Sequence, residues 1–110
     1  MKKLLVALLL SGSVTSYAAE PVSPVSFKGS IADVENYSPL DRVQVIVTSP
    51  DKSLKEVMET DAQGKFTFKD LPAGQYSLSL VRNGYETYTR NNIVVQAGKP
   101  LNMGFFLFRD

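Results

Sequence analysis

The side chains in this 110-residue sequence that could do chemistry are acids in pairs. Asp33 with Glu35, Glu56 with Glu59, and Asp61 with Asp70 each supply two carboxylates close in sequence. Such pairs can share acid and base roles, as in glycoside hydrolysis, if both face one cleft. Histidine and cysteine are absent. That excludes Ser-His-Asp triads, thiol nucleophiles and the usual zinc sites. Gly64, Gly74, Gly84 and Gly98 are spaced as turns and not as a phosphate cradle. These residues call for no cofactor and no metal. Tyr76 has nothing near it in sequence that would lower its pKa, which disfavours it as a catalytic acid.

A second set of side chains suits binding. Tyr37 sits in an early loop, and Tyr85, Tyr88 and Arg90 follow Gly84. Aromatic rings and arginines are what binding hot spots and sugar-stacking platforms use. Tyr85 is expected to pack inward. At the C-terminal end, Phe105 and Leu107 alternate with Phe106 and Phe108. One pair can enter a core. Phe106 and Phe108 then stay exposed unless a lead-in segment or a partner covers them. An apolar edge of this kind is a docking site or an aggregation hazard, and strand addition is one way to dock there.

The elements that must position these residues are strands. Phe27, Gly29 and Ile31 alternate with Lys28, Ser30 and Ala32; Val43, Val45 and Val47 with Gln44, Ile46 and Thr48; Tyr76, Leu78 and Leu80 with Ser77, Ser79 and Val81. Period two with β-branched and aromatic residues marks half-buried strands. Turn residues punctuate the runs at Asn36–Pro39, Ser49–Asp51, Asp61–Gly64, Leu71–Gly74, Asn83-Gly84 and Ala97-Gly98. The pattern predicts seven strands near 26–33, 42–48, 54–60, 65–69, 75–82, 85–95 (with an interruption at 90–92) and 100–108. Asp61 fits a hairpin turn better than a calcium loop, whose acids would alternate further. In Leu71-Pro72-Ala73-Gly74-Gln75-Tyr76, the leucine should plug the core. The tyrosine hydroxyl should bond upstream backbone, as in a tyrosine corner.

The first residues read as an export leader. Met1-Lys2-Lys3 is basic, Leu4–Leu10 is an unbroken apolar run, and small residues follow. The pattern is a secretory signal peptide over 1–18, or 1–19 if cleavage follows Ala19. The run is far short of the ~20 residues of a membrane-spanning helix, and no later run reaches that length. Pro21 and Pro24 predict an extended lead-in over 19–25, with one domain over 26–110. Losing Lys2 and Lys3 takes the formal charge from +1 to −1. That balance offers no footprint for nucleic acid or an anionic membrane. An exported domain without cysteine is held by its core alone and carries no lipid-anchor cysteine. The expected compartment is the bacterial periplasm or the exterior.

Several blocks carry a family resemblance. They are Phe27-Lys28-Gly29-Ser30-Ile31-Ala32-Asp33, Leu40 to Val47, Thr60 to Phe68, Leu71 to Leu78, Asn83-Gly84-Tyr85 and Ile93 to Gly98. Together they resemble the carboxypeptidase regulatory-like domain family, with its transthyretin-like (prealbumin-like) sandwich. The block from Thr60 to Tyr85 is the specific part. The resemblance implies a folding and interaction module that occurs beside other domains, ahead of outer-membrane receptor barrels, or alone. It implies no zinc chemistry. The related hydroxyisourate hydrolases use histidines, which this chain lacks. In related adhesin repeats a lysine and an asparagine on the first and last strands form an isopeptide bond beside a buried acid. Lys28 and Asn102 hold such places, but Leu80 stands where the acid would be.

The expectation is an all-β, seven-stranded Greek-key sandwich. Its leading role is a non-enzymatic exported module binding an envelope protein through a sheet edge or loop face. The alternatives are a small carbohydrate-binding module using Tyr37, Tyr85 and Tyr88, which needs two exposed coplanar rings, and an enzyme using a carboxylate pair.

Overall fold

A computed structural model of the chain describes residues 25–110. The expected leader and nearly all of the expected lead-in lie outside the described residues. Seven strands form: β1 Val25–Asp33, β2 Gln44–Thr48, β3 Lys55–Glu59, β4 Lys65–Leu71, β5 Gly74–Val81, β6 Tyr88–Val95 and β7 Leu101–Leu107. Val25, expected in the lead-in, already pairs with Leu71. β2 starts two residues later than the pattern predicts, because Arg42 takes a left-handed φ of 58°. β6 likewise starts at Tyr88, not 85. Tyr85 instead forms a single bridge with Arg109.

Two sheets result, a three-stranded one in the order β4-β1-β7 and a four-stranded one in the order β3-β2-β5-β6. β1 runs antiparallel to β4 and parallel to β7. Every pair in the larger sheet is antiparallel. The two inner faces interdigitate as one core. Phe27, Ile31, Phe66, Phe68, Phe105 and Leu107 come from the smaller sheet, and Val45, Val47, Tyr76, Leu78, Leu80, Ile93 and Val95 from the larger. Alternation produces this result directly: the inward positions of β1 up to Ile31, and those of β2 and β5, are apolar or glycine, and their neighbours are partly or fully exposed. The rings of Phe27 and Phe66 meet edge to face at 5.3 Å, a favoured aromatic geometry. Gly29 makes room for them, since the Phe66 ring lies over the site where a Cβ would stand.

Both specific turns form as the residues predict. Asp61 Oδ1 accepts from the backbone N–H of Gln63 and of Lys65, each at 2.9 Å. Gly64 closes the turn with φ of 74°, and its own carbonyl accepts from Ile31 at 2.8 Å. At the corner between β4 and β5, Leu71 is fully buried. The Tyr76 hydroxyl donates to the Pro72 carbonyl at 2.6 Å.

Candidate protein-docking edge

β7 owes its position to a buried charged cluster at one end of the sandwich. Asp33 continues the inward phase of Phe27, Gly29 and Ile31, so the last inward residue of β1 is an acid, 1 % exposed. Its Oδ1 accepts from the Glu35 backbone N–H at 2.8 Å. Its Oδ2 accepts from the Tyr85 hydroxyl and from Arg109 Nε, both at 2.7 Å. These donors, led by the Tyr85 hydroxyl, hold its carboxyl down at about 2. The same bond pushes the Tyr85 hydroxyl upward. Arg109 also reaches Glu35 at 3.7 Å, so this acid pair is bridged by a cation and flanks no cleft.

The chain beyond β7 is fastened to the opposite sheet's connection. Glu86 N–H donates to Phe108 O at 2.8 Å, and Asp110 N–H to Gly84 O at 3.2 Å. Arg82 stands over the Tyr85 ring at 5.4 Å and binds Asp41 through both its carbonyl and its carboxylate. Residues 108–110 therefore close the end of the sandwich, and β7 is anchored there while its long edge is left alone.

That edge differs from the other three. β3 carries Lys55, Glu56 and Glu59. β4 carries Lys65, Lys69 and Asp70, and its pairing with β1 shifts register between Val25 and Phe27. β6 carries Arg90, a register shift opposite Tyr76 and Leu78, and a left-handed Asn92. Charges and bulges are how natural edges discourage strand pairing. β7, Leu-Asn-Met-Gly-Phe-Phe-Leu, has no charge and no proline, and it pairs with β1 without a break from Leu101 to Leu107. Among the described residues, nothing pairs with its outer side.

The six residues expected at a binding surface are split by the fold. Phe106 and Phe108 project outward and are 48 % and 57 % exposed. Tyr37, from the loop after β1, is exposed and meets Phe106 edge to face at 5.6 Å. Arg90 is exposed on β6. Tyr85 and Tyr88 turn inward and are half-buried; Tyr85 is held by Asp33 and Tyr88 lies 5.7 Å from Phe105. Tyr37, Tyr85 and Tyr88 thus form no common platform, which removes the geometry the carbohydrate reading required.

The other expected chemistries are dispersed in the same way. Glu56 and Glu59 are exposed on one edge strand, three residues apart and so on opposite faces. Asp61 is occupied by its turn. Lys28 and Asn102 are register partners, but both are exposed on the outer face. Leu80 is fully buried on the other sheet, so no acid accompanies the lysine and asparagine.

The outer face of the smaller sheet is hollow. Thr67, Lys28 and Asn102 form one row across it, and Lys65, Ser30 and Gly104 the next. These residues line a shallow depression of about 370 Å³. Gly104 has no side chain to fill the gap between Asn102 and Phe106. No carboxylate lines the depression, and among the described residues neither lysine is ion-paired.

Comparison with known proteins agrees with this architecture. The family model described as "Carboxypeptidase regulatory-like domain" matches residues 26–107. The chain belongs to that family. Its fold is likewise that of the transthyretin-like sandwiches. It superposes on the 5-hydroxyisourate hydrolase of Klebsiella pneumoniae with TM-score 0.62 and 20 % identity, covering 77 % of this chain and 85 % of that one. It also resembles a chain of a type II cohesin–X-dockerin complex from Acetivibrio cellulolyticus, with TM-score 0.54 and 24 % identity, covering 72 % of this chain and 52 % of that one. In sequence it is 28 % identical over 82 residues to the TonB-dependent transporter Oar of Myxococcus xanthus. That match takes in 74 % of this chain but 8 % of the transporter. The regulatory-like domain is therefore a small part of that relative.

Sequence reasoning missed the cluster around Asp33. The signal was present: Asp33 falls on the inward beat of an alternating strand, where an acid needs a buried partner.

Proposed function

We propose that this chain is an exported, non-enzymatic interaction module of the bacterial cell envelope, and that it holds a partner protein by taking one of its strands onto the free edge of β7. One observation carries this reading: of the four edge strands among the described residues, β7 alone lacks charge, proline and bulge. An edge left unguarded offers a row of backbone donors and acceptors to an extended segment. Export rests on the leader pattern of residues 1–18. Three observations support it further: the family membership, the likeness to a stretch of a TonB-dependent transporter, and the state of the acid pairs, with Asp33 and Glu35 bridged by Arg109, Glu56 and Glu59 on opposite faces, and Asp61 held in its turn.

The test is site-specific photo-crosslinking in the intact envelope. A photoreactive residue is placed at Asn102, at Phe106, or at Glu56 on β3 as the control edge. One protein crosslinked from 102 and 106 and absent from 56 is expected. Crosslinks from the control edge alone, or none from β7, would sink the assignment.

A further inference from the structure

We infer that the strand received by β7 is acidic on its outward face. The inference rests on the docking reading above and adds the chemistry of the partner.

The argument starts from what an added strand would touch. On its inner side it would complete the cover of Leu101 and Met103, which are half-buried against the core, so its inward positions should be apolar. Its outward positions would stand beside Asn102, Gly104 and Phe106 on the outer face of the smaller sheet. Beyond Asn102, directly across β1, is Lys28. Gly104, in the next row opposite Ser30, has no side chain, and the four-carbon stem of Lys28 can lean diagonally past Asn102 over that gap. Lys65, one strand further on, lies diagonal to Lys28 across the Ser30–Lys65 and Lys28–Thr67 pairs. Like charges so placed repel each other, and the depression supplies no acid to relieve them.

A second copy of this chain is a poorer occupant of the edge. Paired through β7, it would bring its own Lys28 and Lys65 to the face and no carboxylate, so the charges would add. A partner strand with carboxylates outward and apolar side chains inward satisfies both sides at once. An anionic glycan or lipid headgroup could use the lysines but would leave Leu101, Met103 and the backbone edge unmet.

The probe is the blocked heptapeptide Thr-Glu-Val-Glu-Val-Glu-Thr, which reads the same in both directions, so strand polarity does not matter. Its control replaces each Glu by Lys. Each is titrated into the isotope-labelled chain purified after export, and backbone amide shifts are followed. The expected result is binding of the Glu peptide with shifts along 101–107, and none for the Lys peptide. Lys28→Glu should weaken the Glu peptide about fivefold, the upper range for an exposed charge interaction. Lys65→Glu should weaken it by roughly threefold, because its charge is more distant and more screened. Both lysines are exposed, so both variants should fold, which circular dichroism checks. Equal binding of both peptides at β7 would overturn the acidic preference and leave the docking edge standing. Shifts confined to the lysine face, or no shift from either peptide, would overturn both. Sedimentation as a dimer that Asn102→Lys dissolves would assign the edge to a second copy and overturn the acidic partner.

Discussion

Tyr85 and Asp33, 52 residues apart in sequence, share a 2.7 Å hydrogen bond across the end of the sandwich. Arg109 joins the same carboxylate oxygen from the chain's other end. Three segments are thereby tied at one buried acid.

That acid sets a pH dependence. The Asp33 carboxyl lies at about 2 in the folded chain against 3.8 ordinarily, held there first by the Tyr85 hydroxyl. A depressed carboxyl stabilises the fold fully above its unfolded value and loses that contribution as pH falls toward its folded value. The difference in urea midpoint between wild type and Asp33→Asn should therefore be flat above about pH 5 and shrink between 3.8 and about 2. Asp51, held at about 2 chiefly by the Ser53 amide and hydroxyl, titrates over the same window. It is present in both proteins and cancels in the difference. A gap that stays constant down to the acid limit would refute the assignment.

The tyrosine corner predicts a modest and local loss. Tyr76→Phe keeps the ring in the core and removes its bond to the Pro72 carbonyl. The expected cost is about 1 kcal/mol, which for a domain of this size lowers the thermal midpoint by about 4–8 °C. An unchanged midpoint would mean that water replaces the bond without penalty.

Thr60 is a larger liability. Its hydroxyl, buried between the chain entering β2 and the chain leaving β3, donates to the Leu40 carbonyl at 2.7 Å and accepts from the Val43 N–H at 2.9 Å. Thr60→Val preserves the shape and strands both backbone groups, at a cost of roughly 2 kcal/mol or more. Thr60→Ser keeps the bonds and should recover most of the loss. Chemical denaturation of the two variants decides the matter; equal stabilities would mean the hydroxyl is dispensable.

Gly64 should tolerate no side chain. Its φ of 74° is left-handed, and a Cβ there would run into the Ile31 carbonyl. Gly64→Ala should cost more than about 1 kcal/mol. It should do so by loosening the contact of the β4 turn with β1, seen as faster amide exchange at Ile31. Slow exchange in the variant would contradict this.

Much of the architecture was legible in the residues because its causes are local. Period-two alternation placed all seven strands within a few residues, and Asp61–Gly64 and Leu71–Tyr76 specified their turn and corner through short-range bonds. What depended on distant pairing was not legible. The apolar alternation of the C-terminal segment suggested an edge, but nothing in Leu101–Leu107 says that β1 rather than β6 is the neighbour of β7. The split between inward Tyr85 and outward Tyr37 was expected from the residues, but its cause is non-local. It follows from the acid at Asp33, which draws one hydroxyl in, and from the left-handed φ of Tyr37, which lies in the loop that leaves β1.

The parallel pairing of β1 with β7 has a kinetic consequence. Among the described residues β1 comes first and is the middle of the smaller sheet, yet its neighbour β7 comes last of the seven strands, and the Asp33 carboxylate waits for Arg109. Pairings so far apart in sequence are slow to form. The smaller sheet cannot be completed before β7 has emerged from a ribosome or a translocation pore. A polypeptide built this way stays threadable until β7 arrives, and a threadable chain is what passage across a membrane in an unfolded state requires.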